Sequence, residues 1–187
     1  MRIEELVVEL SNDPFNPKKN FDVAVEYERL NQTASAVSFY LRTAEYGGDE
    51  DSLLIYTSLL KMASCFDDQH DRVHTVSNCL LQAITVLPNR PEAYFLLSQF
   101  HERKGDWQEC YTWAVVGLSH KENDAIPLPA PVGYVGPYCL EFEKAVSSWW
   151  IGRKDETNKL LTELSSLEYM TDEYKNAVKH NRERVGL

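Results

Sequence analysis

The 187-residue chain is predicted to be all-α, built from repeated pairs of helices, on three observations. Apolar residues recur with a helical period almost from end to end, and no stretch shows the sustained period-two alternation of Val, Ile and Thr that marks strands. Helix-breaking punctuation separates the periodic stretches, at Asn12-Asp13-Pro14 with Asn16-Pro17, Gly47-Gly48, Pro88-Asn89-Arg90-Pro91 and Lys104-Gly105-Asp106. Several segments also resemble one another in the order and spacing of small, aromatic and leucine residues. The length fits one domain over 1–187 with a substantial core.

In chain order, helices are predicted over 2–11, 18–31, 33–46, 50–66, 72–87, 91–104, 106–120, 138–151, 154–167 and 171–184. Helix 2–11 places Ile3, Leu6, Val7 and Leu10 on one face and fits a cap. Helix pairs follow over 18–46, 50–87, 91–120 and 138–167. In the first, Ala24, Tyr27 and Asn31 lead to Ala36, Tyr40 and Ala44, and Asn31 tolerates the left-handed turn that glycine usually supplies. In the second, Ala63 and Phe66 are followed by Val76, Leu80, Ala83 and Pro88. The third reads Pro91, Ala93, Tyr94, Leu97, Ser98, His101, Gly105, Asp106, Trp107, Cys110, then Ala114, Gly117 and Leu118, with Pro91 suited to the first turn of its helix. The fourth, weaker in pattern, has Ala145, Ser148 and Gly152 before Leu160, Leu161 and Leu164. Small residues let two helices approach closely, and the larger ones fill the space between neighbouring pairs. A single pair cannot bury its own apolar face, so pairs must stack and the ends need caps; helix 171–184, with Tyr174, Ala177 and Val178, fits the second cap.

The third pair resembles the tetratricopeptide repeat (TPR), a helix–turn–helix unit of 34 residues. His101 stands where that family has an aromatic, and Cys110 where it has the first small residue of the second helix. The resemblance implies a TPR-like α-solenoid of about four helix–turn–helix repeats with capping helices, acting as a non-catalytic scaffold for protein–protein interaction. The runs Ala24–Tyr27, Gln32–Leu41, Leu87–Leu97 and Phe142–Trp150 also look like TPR-type proteins of cyanobacterial phages and large DNA viruses, a likeness spanning nearly the whole chain. In that group the repeat domain often stands beside glycosyltransferase modules, which implies an accessory role in glycan modification as an alternative. A self-assembling module, with exposed end helices stacking into a homodimer, is the third reading.

Composition limits the partners. With 19 Lys and Arg against 29 Asp and Glu, the net charge is -10, which disfavours binding to phosphate backbones. The excess is greatest in residues 1–60, with 5 bases and 11 acids. Apolar runs of a few residues leave no transmembrane span, and Met1-Arg2-Ile3-Glu4-Glu5 has acids where a secretory leader needs bases. Cys65, Cys79, Cys110 and Cys139 form no close pair and read as buried free thiols of a reducing compartment. The expectation is a cytoplasmic protein (host cytoplasm if viral) without nucleic-acid or membrane partners.

In TPR arrays the first helix of each repeat lines the concave groove. In that register the groove positions are Phe21, Val25 and Glu28, then Leu60, Ser64 and Asp67, then Phe95, Gln99 and Glu102, then Phe142, Val146 and Trp149. An apolar residue recurs at one position and an acid seven residues later, two helical turns on and therefore on the same face, until Trp149 replaces it. The groove expected is apolar along one row and negative along another, suited to a peptide with apolar anchors and Lys or Arg. The Lys, Asn and Arg clamp with which TPR chaperone-tail binders hold a carboxylate is missing from these positions. The alternative is that Phe21, Leu60, Phe95 and Phe142 pack against the proline-rich loop or the tail helix.

That loop, 123–137, holds Pro127, Pro129, Pro131 and Pro137 with Gly133 and Gly136, and cannot be helical. It is read as a covering loop or as a partner-contacting one. Trp149 and Trp150, with Tyr134 and Tyr138, form an aromatic neighbourhood suited to core packing, to sugar stacking or to a peptide anchor. No catalytic residue, cofactor or metal site is assigned. His70 and His74 with Asp67, Asp68 and Asp71 have a two-histidine spacing but fall at a polar turn. Gly47-Gly48 lacks the Gly-Lys-Ser/Thr of a phosphate loop, and Glu4/Glu5 and Glu141/Glu143 do not face each other on a helix.

Overall fold

A computed structural model of the chain describes residues 2–69, 72–123 and 126–187. Among these are α1 (Ile3–Ser11), α2 (Pro17–Arg29), α3 (Thr33–Tyr46), α4 (Ser52–Asp67), α5 (Val73–Val86), α6 (Glu92–Lys104), α7 (Trp107–Leu118), α8 (Pro137–Trp150), α9 (Lys154–Ser165) and α10 (Asp172–Val185), with a 3-10 turn at Asp49–Asp51 and no strand. Every predicted helix is present, each end within two residues of its expected place.

Local chemistry sets the boundaries. The Asn16 side chain accepts the Lys19 N–H at 3.0 Å, and Pro17 supplies the first helical residue without wasting a donor. At the far end of α2, Asn31 adopts the left-handed conformation with φ 56, and Gly105, Gly152 and Gly186 do the same after α6, α8 and α10. The bonds around these four residues are alike. Gln32 N–H donates to the Tyr27 carbonyl (2.9 Å), Asp106 to His101 (2.9 Å), Arg153 to Ser148 (2.8 Å) and Leu187 to Arg182 (3.0 Å). This six-to-one bond beside a left-handed residue uses up the helix's terminal carbonyls and turns the chain sharply.

By internal packing the chain falls into two compact units, Met1–Asn89 with Ala125–Val132, and Arg90–Asp124 with Gly133–Leu187. In the first, α1 packs on α2, α2 pairs with α3, α3 packs on α4, and α4 pairs with α5. Leu6, Leu10 and Val23 form a cluster under α1, joined by Ile3, Tyr27 and Phe39. Ala24 and Ala36 are wholly buried where α2 meets α3, and their small size allows that approach.

The second unit repeats the scheme: α6 pairs with α7, α7 packs on α8, α8 pairs with α9, and α10 lies on both α8 and α9. Its core runs through Phe95, Ala114, Leu140, Ala145, Leu161, Leu164 and Val178. Gly186 follows Gly152 by 34 residues, one repeat period, so α10 stands in the register of a first helix as well as covering the end of the α8–α9 pair.

Gly117 marks a close helix crossing. A Cβ there would lie 2.9 Å from Tyr94 Cβ and 2.9 Å from Leu140 Cδ2. Helix propensity favours Gly117→Ala by about 1 kcal/mol, but overpacking costs about 1–3 kcal/mol. The Tyr94 contact is with an atom fixed to the backbone, so the clash should prevail. Gly117→Ala is expected to lower the thermal midpoint by several degrees, read by circular dichroism; an unchanged or raised midpoint would show that α6 and α7 separate freely.

Candidate functional site

The second unit contains a cavity of about 280 Å³ built largely from its first helices. Successive turns of α8 carry Phe142, Val146 and Trp149 to its wall, with Trp150 beside them. Glu102 on the last turn of α6 and Trp107 at the start of α7 border one side; Asn181, Arg184 and Val185 of α10 border another. The Trp107 and Trp150 rings stack with centroids 5.1 Å apart and planes 14° from parallel. Trp150 remains 52% exposed, so this pair presents indole surface to solvent. Lys154 Nζ stands 4.9 Å from the centre of the Trp149 ring.

Behind the cavity, Glu143 is only 3% exposed. Its backbone carbonyl accepts the Ser147 hydroxyl at 2.7 Å, and Cys110 Sγ lies 3.9 Å from one carboxyl oxygen. Burial, reinforced by the negative charge of Glu102, pushes the Glu143 carboxyl up to about 8, against a hydrogen bond from Gln99 and the positive charge of Arg103. Burial also raises the Glu102 carboxyl, and Arg103 opposes that rise. Glu143 is therefore mostly neutral at pH 7 and able to donate as well as accept. Cys110 is pushed up to about 12 mainly by burial, so its thiol stays protonated.

The expected groove residues fall into three groups. Glu102 and Trp149, with Phe142 and Val146, come together at the cavity. Phe21, Leu60 and Phe95 are at most 2% exposed and lie in the core instead of presenting an apolar row. Phe21 meets Tyr40 edge-on, and Phe95 is covered by Tyr134 of the proline-rich loop. Phe142 packs edge-on against Tyr174 of the tail helix. The reason is geometric: within its unit each of these helices has neighbours on more than one side, α2 against α1, α3 and α4, α4 against α2, α3 and α5, and α6 against α7 and α8, leaving a narrow free stripe. The third group lies away from the cavity. Glu28 accepts the Tyr40 hydroxyl at 2.5 Å and pairs with Lys61 at 2.5 Å, so this acid is compensated inside its unit. Gln99 is bonded to Glu143, while Val25 and Asp67 are half-buried on α2 and at the end of α4.

Trp150 belongs to the aromatic neighbourhood expected from the sequence, whereas Trp107, Asn181, Arg184 and Val185 were not among the expected residues. The 34-residue step from Gly152 to Gly186 is the signal that places the last three on a groove-lining helix. Among the described residues no group of three or more His, Cys, Asp and Glu stands together as a metal site; His70 and Asp71 lie outside them. All four cysteines are free and buried. Among the described residues, no helix is long and apolar enough to cross a membrane.

No protein-family model matches the chain, and no curated protein matches it by sequence. Its fold does match solved structures. The crystal structure of MamA is similar with a TM-score of 0.65 and 14% identity, over 87% of this chain and 84% of that one. PilW, a widely conserved type IV pilus biogenesis factor, has a TM-score of 0.69 and 14% identity over 94% and 73%. YrrB, a TPR protein with an unusual peptide-binding site, has a TM-score of 0.51 and 10% identity over 97% and 100%. The likeness is one of fold, and it agrees with the all-α class of TPR-like helical repeats expected from the sequence.

The Glu143 carboxyl gives a pH signature. Its native value lies above the ordinary 4.5, so the folded state binds more protons than the unfolded one between pH 4.5 and about 8. The stability it contributes is complete below that window and is lost as pH rises through it. Glu143→Gln keeps the hydrogen-bonding shape and removes the titration. Between pH 5.5 and 8.5 the variant's thermal midpoint is expected to gain several degrees relative to the native protein, every other group being common to both. Parallel midpoint curves would mean that Glu143 ionises at ordinary cost.

Proposed function

We propose that the chain is a non-catalytic interaction scaffold whose second unit takes a peptide carrying an apolar or aromatic anchor next to Lys or Arg. The observation that carries this reading is the aromatic cavity with the half-buried Glu102 at its edge. Aromatic walls favour an apolar anchor, and indole faces also attract a cation. A carboxylate partly withdrawn from water gains most from an incoming ammonium or guanidinium. Asn181 and Arg184 add donors for the carbonyls of an extended backbone, and the chain's net charge of -10 favours the approach of a basic partner.

The fold neighbours fit a scaffold, and YrrB is itself a TPR protein with a peptide-binding site. A cytoplasmic setting accords with four buried free thiols. A place beside a glycan-modifying enzyme draws on the resemblance to viral and phage proteins alone. Self-association has one observation behind it: α1 leaves Val7 and Val8 41% and 62% exposed beside Ile3 and Tyr27.

The test uses fluorescent peptides with a Phe or Leu anchor flanked by Lys or Arg, and the same peptides with Glu in place of each base. The basic set is expected to bind, and Trp149→Ala to weaken it by about 30-fold, as for a central aromatic anchor worth about 2 kcal/mol. Glu102→Gln should cost about tenfold for the basic set and nothing for an uncharged one. Equal binding of basic and acidic peptides would overturn the reading.

A further inference from the structure

Residues 126–132 read Ile-Pro-Leu-Pro-Ala-Pro-Val, with proline at every second position. Each proline fixes its own φ, and each preceding residue (Ile126, Leu128, Ala130) is pushed out of the helical region. The run is therefore held extended by its covalent structure and has little conformational freedom left to lose on docking. Pro127, Pro129 and Pro131 have no N–H, so the run cannot join a ladder as a strand, yet its carbonyls remain as acceptors.

Although α7 and α8 belong to the second unit, this run packs with the first. Ala130 is 6% exposed, and Leu128 and Val132 are half-buried. Lys61 on α4 donates from Nζ to the Pro131 carbonyl at 3.3 Å. That ammonium is held in turn by Glu28 of α2, which also accepts the hydroxyl of the fully buried Tyr40 on α3. Three helices thus fix one donor where it meets a backbone acceptor of the proline-rich run. Its neighbour Leu60 occupies a first-helix register position.

We propose that this face of the first unit, centred on Lys61, is a recognition site for extended peptides in which proline alternates with small or apolar residues. Residues 126–132 occupy it in cis as a resident ligand, and a partner segment of the same chemistry displaces them. The recognition is by shape and backbone: a stiff run whose small residue seats inward, with a carbonyl for Lys61. It is separate from the cavity of the second unit and needs a different ligand. A tethered segment competes at an effective concentration near millimolar, so a free peptide binds the native chain weakly.

The experiment uses a fluorescein-labelled peptide with the sequence of residues 124–134 as probe, read by anisotropy. Two full-length variants vacate the face. One combines Pro127→Ser, Leu128→Gly, Pro129→Ser, Ala130→Gly and Pro131→Ser; the other is Ala130→Arg alone, which places a long cation where a buried methyl sat. Each is first checked for native helicity and a cooperative melt. The vacated chains are expected to bind the probe at least tenfold more tightly than the native chain, and to lose that gain for a probe whose three prolines are alanines. Equal affinity of the native and vacated chains, or no binding by a folded vacated chain at millimolar probe, would overturn the proposal.

Discussion

The left-handed residue that ends α2, α6, α8 and α10 is the constraint on which the remaining structure depends. A helix can end in many ways, but a residue at positive φ flanked by the paired N–H bonds seen here ends it with one geometry. After α2, α6 and α8 the next helix then pairs with its predecessor, as α3, α7 and α9 do. α10 packs against α8, so Asn181, Arg184 and Val185 border the same cavity as Phe142, Val146 and Trp149. Glycine meets the requirement at no steric cost at three of the four positions; Asn31 meets it with a short polar side chain.

Charge is managed locally in a way that formal counting conceals. The chain carries ten more acids than bases. Yet Glu28 is compensated by Lys61 and by the Tyr40 hydroxyl, and Glu143 is kept largely neutral by burial and by the Glu102 charge nearby. Acids on the first helices, Glu28 and Glu102 in the expected row and Glu143 outside it, therefore have different duties. Glu28 fixes a lysine, Glu143 is buried beside Cys110 and Gln99, and Glu102 alone of these three borders an open cavity. Charge reversal at Glu28 would place two ammonium groups together and strip Tyr40 of its acceptor, so it would report on folding before it reported on binding.

The helices and their turns were legible because each rests on a local rule: Pro17 and Pro91 at starts, Asn31, Gly105 and Gly152 at turns, small residues at close crossings. The non-helical character of 126–136 was legible for the same reason, since proline acts on its own residue and the one before it. What each exposed-looking stripe faces was not. Phe21, Phe95 and Phe142 occupy one register position, yet Tyr40, Tyr134 and Tyr174 cover them from three different kinds of element. A seven-residue spacing says that two side chains share a face; it does not say what lies against that face. Likewise Trp107 at the start of α7 and Trp150 at the end of α8 meet 43 residues apart in the chain, which no periodicity within a helix can reveal.

The most direct measurement follows the four indole N–H signals in a proton–nitrogen correlation spectrum while a Lys-flanked Phe peptide is added. Trp113 serves as the internal reference, because its indole nitrogen is buried and its ring stacks on Tyr94. The signals of Trp107, Trp149 and Trp150 are expected to shift together and saturably while Trp113 stays in place. Movement of none of the three cavity indoles under conditions where the peptide binds would contradict that expectation, and would move the binding surface away from the second unit's first helices.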